Sequence, residues 1–348
     1  MRARYLTRTV ARNRLKTDLG YGRHGWLLKL NGLRILITGG AGFIGSHLVD
    51  RLIEMGNHVI VYDNFDEYYV GKEDNIKHHF ENSNFTLIKA DILDYNTLCK
   101  AMNEVDIVFH LAAQAGIRYS LANPLKTNTV NTSGTLNVLN STRENRVRKV
   151  IFASSSSVYG APQYVPVDES HPQNPISFYG VSKLAAERYC QLFNNSRELQ
   201  VKILRYHTVY GPRQRPDMAI HKWTRRLFEN KPPVIYGDGK QTRDFTYIDD
   251  IIDGTVKAAE IDDLEEKIFN LGSGLRVSVN TVVRLVSTLT NKEDIHPIYE
   301  EPKLGDVHDT YADISKARKI LGYNPSVTLE HGVRRFIEWF EQKQNTHV

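Results

Sequence analysis

The feature that most constrains this chain is a run of three spaced glycines set between two kinds of hydrophobic pattern. In LRILITGGAGFIGSHLVDRLIEMGNHVIVYDN, residues 33–64, Leu33 to Ile37 reads as a buried strand. Gly39, Gly42 and Gly45 follow, and the helical period then runs to about Met55. Glycines here keep the turn tight and let backbone N–H groups approach a pyrophosphate, with the positive end of the helix behind them. A second strand begins at His58 and ends on Asp63. Strand, glycine loop, helix and strand-end acid together make a dinucleotide site, which the glycines alone do not. Asp63 suits ribose hydroxyls and repels a 2′-phosphate, and no arginine follows it directly, so the cofactor expected is NAD.

The alternation continues. FTLIKAD (85–91), VDIVFHLAA (105–113) and RKVIFASS (148–155) read as strands, with helical patterns over 94–103 and 125–144. Strands alternating with helices predict an α/β fold, a Rossmann-type doubly wound parallel sheet. Beyond about Arg205 the pattern loosens into Gly-, Pro- and Asp-rich loops with helices near 279–289 and 328–342. The expected division is an NAD-binding domain over 33–205 and a smaller lobe over 206–348, some of whose segments return to the first. Asp91 either lies near the adenine or caps the helix over 92–103.

SFYGVSK places Tyr179 and Lys183 four residues apart, on one face of a helix. A free phenol titrates near pH ~10. A neighbouring ammonium and a bound nicotinamide cation favour the phenolate, which makes Tyr179 a candidate general base. Ser155 can hydrogen-bond the same substrate oxygen. In TVYGPRQR (208–215), Arg213 and Arg215 flank a turn, and a guanidinium fork suits carboxylates and phosphates.

Charge argues against a polyanion partner. Residues 1–32 carry eight Lys/Arg and one acid, a net of +7 against +5 for the whole chain, which leaves the remainder at −2. A mildly acidic body gives no case for nucleic acid. The head is expected to be a weakly ordered basic extension without a chemical role. No apolar run is long enough for a membrane span, no metal-ligand pattern appears, and Cys99 and Cys190 lie far apart, as in a cytoplasmic protein.

TGGAGFIG, the DN at 63–64, HLAAQAG, SSSSVYG, YGVSK, RYHTVYGPRQRPDMA, YGDGKQTRDFTYIDD and GDVHDTYADISKA occur in order. On these the chain, over about 33–340, resembles the NAD-dependent nucleotide-sugar epimerase/dehydratase family of extended short-chain dehydrogenases/reductases. The resemblance implies Ser155, Tyr179 and Lys183 as the catalytic set. It puts Gly39, Gly42, Phe43, Ile44, Gly45, Asp63, Asn64, Asp91 and Ile92 around NAD, together with Tyr179 and Lys183. It puts Arg118, Ser155, Ser156, Thr208, Arg215, Arg243 and Asp306 around a UDP-sugar. It also implies a homodimer packed through helices at about 121–144 and 178–195.

The shared chemistry is transient oxidation at sugar C4. Resembling dehydratases carry an acid pair where this chain has Ser156 and Ser157, and a serine at its ordinary pKa is no carboxylate base. TVYGPRQRPDM and HLAAQAGIRYS resemble the uronate 4-epimerase branch, where Thr208 and Arg215 would grip the sugar carboxylate. The alternatives are a UDP-glucose or UDP-N-acetylglucosamine epimerase, a UDP-glucuronate decarboxylase, and a non-catalytic NAD-binding regulator.

Overall fold

The computed structural model describes residues 20–22, 25–27, 29–196, 199–262, 267–303 and 305–346. The principal strands are β1 (Arg34–Thr38), β2 (His58–Asp63), β3 (Phe85–Lys89), β4 (Ile107–His110), β5 (Lys149–Ser155), β6 (Gln200–Tyr206), β7 (Thr208–Tyr210), β8 (Val234–Tyr236), β9 (Phe245–Tyr247), β10 (Ile268–Leu271) and β11 (Ile298–Glu300). Seven form one sheet in the order β10-β6-β5-β4-β1-β2-β3, every pairing parallel. Leu36 and Ile37 point to opposite faces of β1, and both are fully buried. That is the burial of a sheet covered on both sides, and it explains the continuous apolar runs in the sequence.

The principal helices are α1 (Phe43–Glu54), α2 (Tyr95–Ala101), α3 (Gly134–Glu144), α4 (Phe178–Asn195), α5 (Ile248–Glu260), α6 (Val279–Leu289) and α7 (Leu329–Thr346). One face of the sheet packs Ile35 and Ile37 against Leu48 and Val49 of α1 and Ile251 of α5. The other packs Leu36, Val108 and Val150 against Leu98, Val138 and Ala186 of α2, α3 and α4. β10 and α5, from the second half of the chain, return to the first lobe. β7 pairs with β9 and β8 with β11, building the smaller lobe over the ends of β5 and β6.

Two details depart from the sequence reading. The helical pattern over 125–144 is interrupted: a helix over Pro124–Asn128 passes through a π-helical turn, Thr129–Ser133, before α3 begins. Such a turn re-aims one residue. Here it is Asn131, whose side chain accepts from Gln114 N at 2.7 Å and donates to Ser182 at 2.9 Å. The predicted extension over 1–32 lies mostly outside the described residues. Gly20–Gly22 pairs with Gly25–Leu27 as a short hairpin, and Leu30, at 2% exposure, already belongs to the core. No helix among the described residues is long and apolar enough to cross a membrane.

Candidate active site

Strand order reverses between β1 and β4, and in an open parallel sheet ligands bind at such a switch point, beyond the carboxyl ends of the strands. A cavity of about 660 Å³ opens there, lined by residues from both lobes. That volume is in the range of small-molecule sites.

The glycine loop forms one wall. A Cβ on Gly45 would lie 2.2 Å from the Gly39 carbonyl oxygen, and one on Gly39 2.7 Å from the Ala112 nitrogen. Gly39 also sits at φ +72°, a conformation that favours glycine. Gly42 caps α1 with no side chain, so the first-turn N–H groups are left to an incoming anion. Phe43 and Ile44 line the cavity beside it. Asp63 is buried; its carboxylate accepts from Ala41 N at 3.1 Å and Phe65 N at 2.9 Å. Burial raises its pKa, while those N–H groups and Lys72 oppose the rise.

Asp91 accepts from Asn64 Nδ2 and from Leu93 N, both at 2.8 Å. The cap of α2 is Asp94, which accepts from Thr97 N at 3.1 Å, so the capping alternative for Asp91 is corrected. Ile92, Asn64 and Asp91 line the cavity with Asp63.

α4 starts at Ser177, whose hydroxyl accepts from Gly180 N at 3.0 Å. This cap sets Tyr179 in the first turn and Lys183 one turn on, both facing the cavity with Ser155 and Ser156. Lys183 Nζ donates to the Ala153 carbonyl at 2.8 Å and sits 4.8 Å from the Phe152 ring centre. Burial lowers its pKa to about 8. Tyr179 is raised by burial, and the influences that lower it are the Arg215 charge and a hydrogen bond with Ser155. Arg215 is thus a cation that lowers the phenol. Lys183 is committed to the end of β5.

Thr208 and Arg215 line the same cavity. Arg215 forms a two-point pair with Asp217, at 2.9 Å and 3.1 Å. Arg213 turns away, at φ +63°, and pairs with Asp50 of α1 at 2.8 Å. The remaining substrate candidates are grouped elsewhere. Arg118 lies 3.4 Å from Asp306 and stacks 4.4 Å from the Tyr236 ring centre. Arg243 donates to the Thr242 and His308 carbonyls at 2.8 Å and 3.0 Å. Burial lowers its pKa against the pull of Asp306 and Asp309. Arg118 and Arg243 are linked through Asp306, and none of the three lines the cavity.

Sequence reasoning missed Tyr68, Tyr69, Lys72 and Met218, all lining residues. For the first three the signal was the aromatic pair in DEYYVGK, five residues after Asp63, in a stretch without periodicity; Met218 ends RQRPDM.

A family model described as GDP-mannose 4,6 dehydratase matches residues 36–336. A putative UDP-glucose 4-epimerase of Methanocaldococcus jannaschii is 39% identical over 322 residues, 90% of this chain and 100% of the relative. A UDP-glucuronate 4-epimerase of Thermodesulfobacterium geofontis is 37% identical over 313 residues, 88% of this chain and 96% of the relative. The solved structure of UDP-glucuronic acid 4-epimerase from Bacillus cereus, in complex with UDP-glucuronic acid and NAD, has a TM-score of 0.84 and 38% identity. It covers 89% of this chain and 100% of its own.

Proposed function

The chain belongs to the GDP-mannose 4,6 dehydratase family of NAD-dependent nucleotide-sugar enzymes, and we propose that it is a UDP-glucuronate 4-epimerase, interconverting UDP-glucuronate and UDP-galacturonate. A loop with no room for a Cβ at Gly39 or Gly45, opening a helix that has no side-chain cap, fits the pyrophosphate of NAD. NAD, when bound, takes up and returns the hydride of sugar C4.

The chain's own residues handle the proton and the charge. Tyr179 accepts the O4 proton, and the Ser155 hydroxyl holds the same oxygen. The Arg215 charge lowers the phenol toward its working range. Arg215 and Thr208 hold the carboxylate on C5. At the 4-keto stage that carboxylate belongs to a β-keto acid, and charged hydrogen bonds that keep its negative charge in place oppose loss of CO₂. Ser156 and Ser157 offer no carboxylate base for elimination, so return of hydride to the opposite face is the remaining outcome. Arg118, Arg243 and Asp306, with Tyr236, suit the diphosphate and base of the nucleotide.

The observation that carries the uronate assignment is that Arg215 lines one cavity with Tyr179 and acts electrostatically on it. C6 neighbours C4 across one ring atom, so a cation near the base is also near the carboxylate. A second reading, a neutral UDP-hexose substrate, is favoured by the Asp217 partner, which offsets the charge of Arg215. Two free thiols, Cys99 and Cys190, accord with a cytoplasmic location.

Chromatography and mass analysis after incubation with UDP-glucuronate, UDP-glucose and UDP-N-acetylglucosamine test the proposal. An isomer from the uronate is expected. A product lighter by CO₂ supports a decarboxylase, and bound NAD with no turnover supports a regulator. Arg215→Ala is expected to cost about 2–5 kcal/mol more in kcat/KM for UDP-glucuronate than for a neutral sugar. Equal losses remove the carboxylate role.

A further inference from the structure

Segments far apart in sequence meet at Asp217. Its Oδ1 accepts from Arg215 Nε at 2.9 Å, and its Oδ2 from Arg215 Nη2 at 3.1 Å. The same Oδ2 accepts from the Tyr68 hydroxyl at 2.8 Å. The Tyr68 ring packs edge-on against Tyr119, with centroids 4.6 Å apart. Gly116, at φ +110°, leaves room for the pair: a Cβ there would stand 2.7 Å from the Tyr68 hydroxyl and 3.7 Å from Asp217 Oδ2. Arg215 lines the cavity, whereas Asp217 stands behind it.

A guanidinium carries five N–H donors in one rigid plane. Asp217 takes the Nε hydrogen and one on Nη2. The edge formed by Nη1 and the second Nη2 hydrogen is left to donate to both oxygens of another carboxylate. A guanidinium held on one edge cannot turn about its own bond, so the plane of the other edge is fixed as well.

We propose that Asp217, oriented by Tyr68, is a positioning residue that locks the plane of Arg215, so that its outer edge fixes the sugar carboxylate and suppresses loss of CO₂ from the 4-keto sugar. This rests on the uronate reading above. In the suppressed reaction the C5–C6 bond breaks and CO₂ departs. The electron pair passes to C5 and onto the C4 oxygen as an enolate, and water supplies the proton that returns to C5. The pair can leave only when the C5–C6 bond stands across the carbonyl plane and negative charge can drain from the carboxylate. A fixed fork opposes both conditions.

The test uses the full chain with NAD and UDP-glucuronate, comparing the unmodified protein, Asp217→Asn and Tyr68→Phe. Mass-resolved chromatography gives the ratio of UDP-galacturonate to UDP-4-keto-pentose, initial rates give KM, and thermal melting reports folding. Asp217→Asn is expected to raise the CO₂-loss fraction about tenfold and to raise KM. Tyr68→Phe moves both in the same direction by less. Unchanged ratios in a folded Asp217→Asn protein overturn the proposal. So does a lowered KM without CO₂ loss, which makes Asp217 a competing counter-ion. Should Asp217→Asn lose its melting transition, Tyr68→Phe decides by the same ratio. No turnover of UDP-glucuronate by the unmodified protein defeats the uronate assignment itself, and this inference with it.

Discussion

Tyr179 meets its cavity with a phenol that burial has pushed up, and only Arg215 and Ser155 pull it back. In the proposed reaction the base would then depend on a residue that also faces the substrate, which would couple proton transfer to the charge at C6. One consequence is separable from carboxylate binding. With UDP-glucose, which has no carboxylate, Arg215→Ala is expected to move the acidic limb of the kcat/KM profile to higher pH, because the phenol loses the cation that lowers it. An unshifted limb, with activity reduced evenly across the pH range, means that Arg215 does not act on Tyr179. Single residues were partly legible. The spacing of Tyr179 and Lys183 places both on one helix face, and both face the cavity. The spacing says nothing of the Ala153 carbonyl that holds Lys183, because that carbonyl arrives from another strand.

At the scale of elements, His110 shows how the strand ends are tied below the cavity. Its ring bridges Thr38 of β1 at 2.7 Å and Thr135 of α3 at 2.9 Å. Burial lowers its pKa from 6.5 to about 3. His47 on α1 is lowered to about 4, chiefly by burial and then by Arg213. Both histidines are neutral when folded and take up a proton when unfolded. Their stability contribution is complete above pH 6.5 and is lost as pH falls toward 4. Urea melts of His110→Gln, compared with the unmodified protein between pH 6 and 4, are expected to show a pH slope shallower by about 1.4 kcal/mol per unit, one proton fewer. Equal slopes rule out the buried neutral ring. Element type was legible because periodicity is local, and α1, β2 and β5 all follow from it. The π turn at Asn131 was not, since it answers to Gln114 and Ser182 on other segments. Of the two alternatives left open for Asp91 the cap falls away, because Asp91 and Asp94 are equally good caps until the strand end engages one of them.

For the whole molecule, α3 and α4 expose apolar side chains that the subunit does not cover: Leu136 at 37%, Phe178 at 50%, Val181 at 52% and Leu192 at 62%. A face of this kind on two neighbouring helices suits a second copy of the chain. Should two copies pack through this face, Val181→Lys is expected to halve the mass measured by light scattering while leaving the melting transition in place; an unchanged mass removes this face from any assembly. The sequence by itself determined the parallel sheet, the glycine cradle and the identity of the chemical groups, because strand and helix periods and the steric needs of glycine act over a few neighbouring residues. Only the tertiary structure decided which groups share one cavity. It turned Arg213 out to Asp50 and left Arg215 inside, with its neighbour Asp217 tied to Tyr68, because the Arg213–Asp50 and Tyr68–Asp217 pairings join residues 163 and 149 positions apart, through packing that no local pattern encodes.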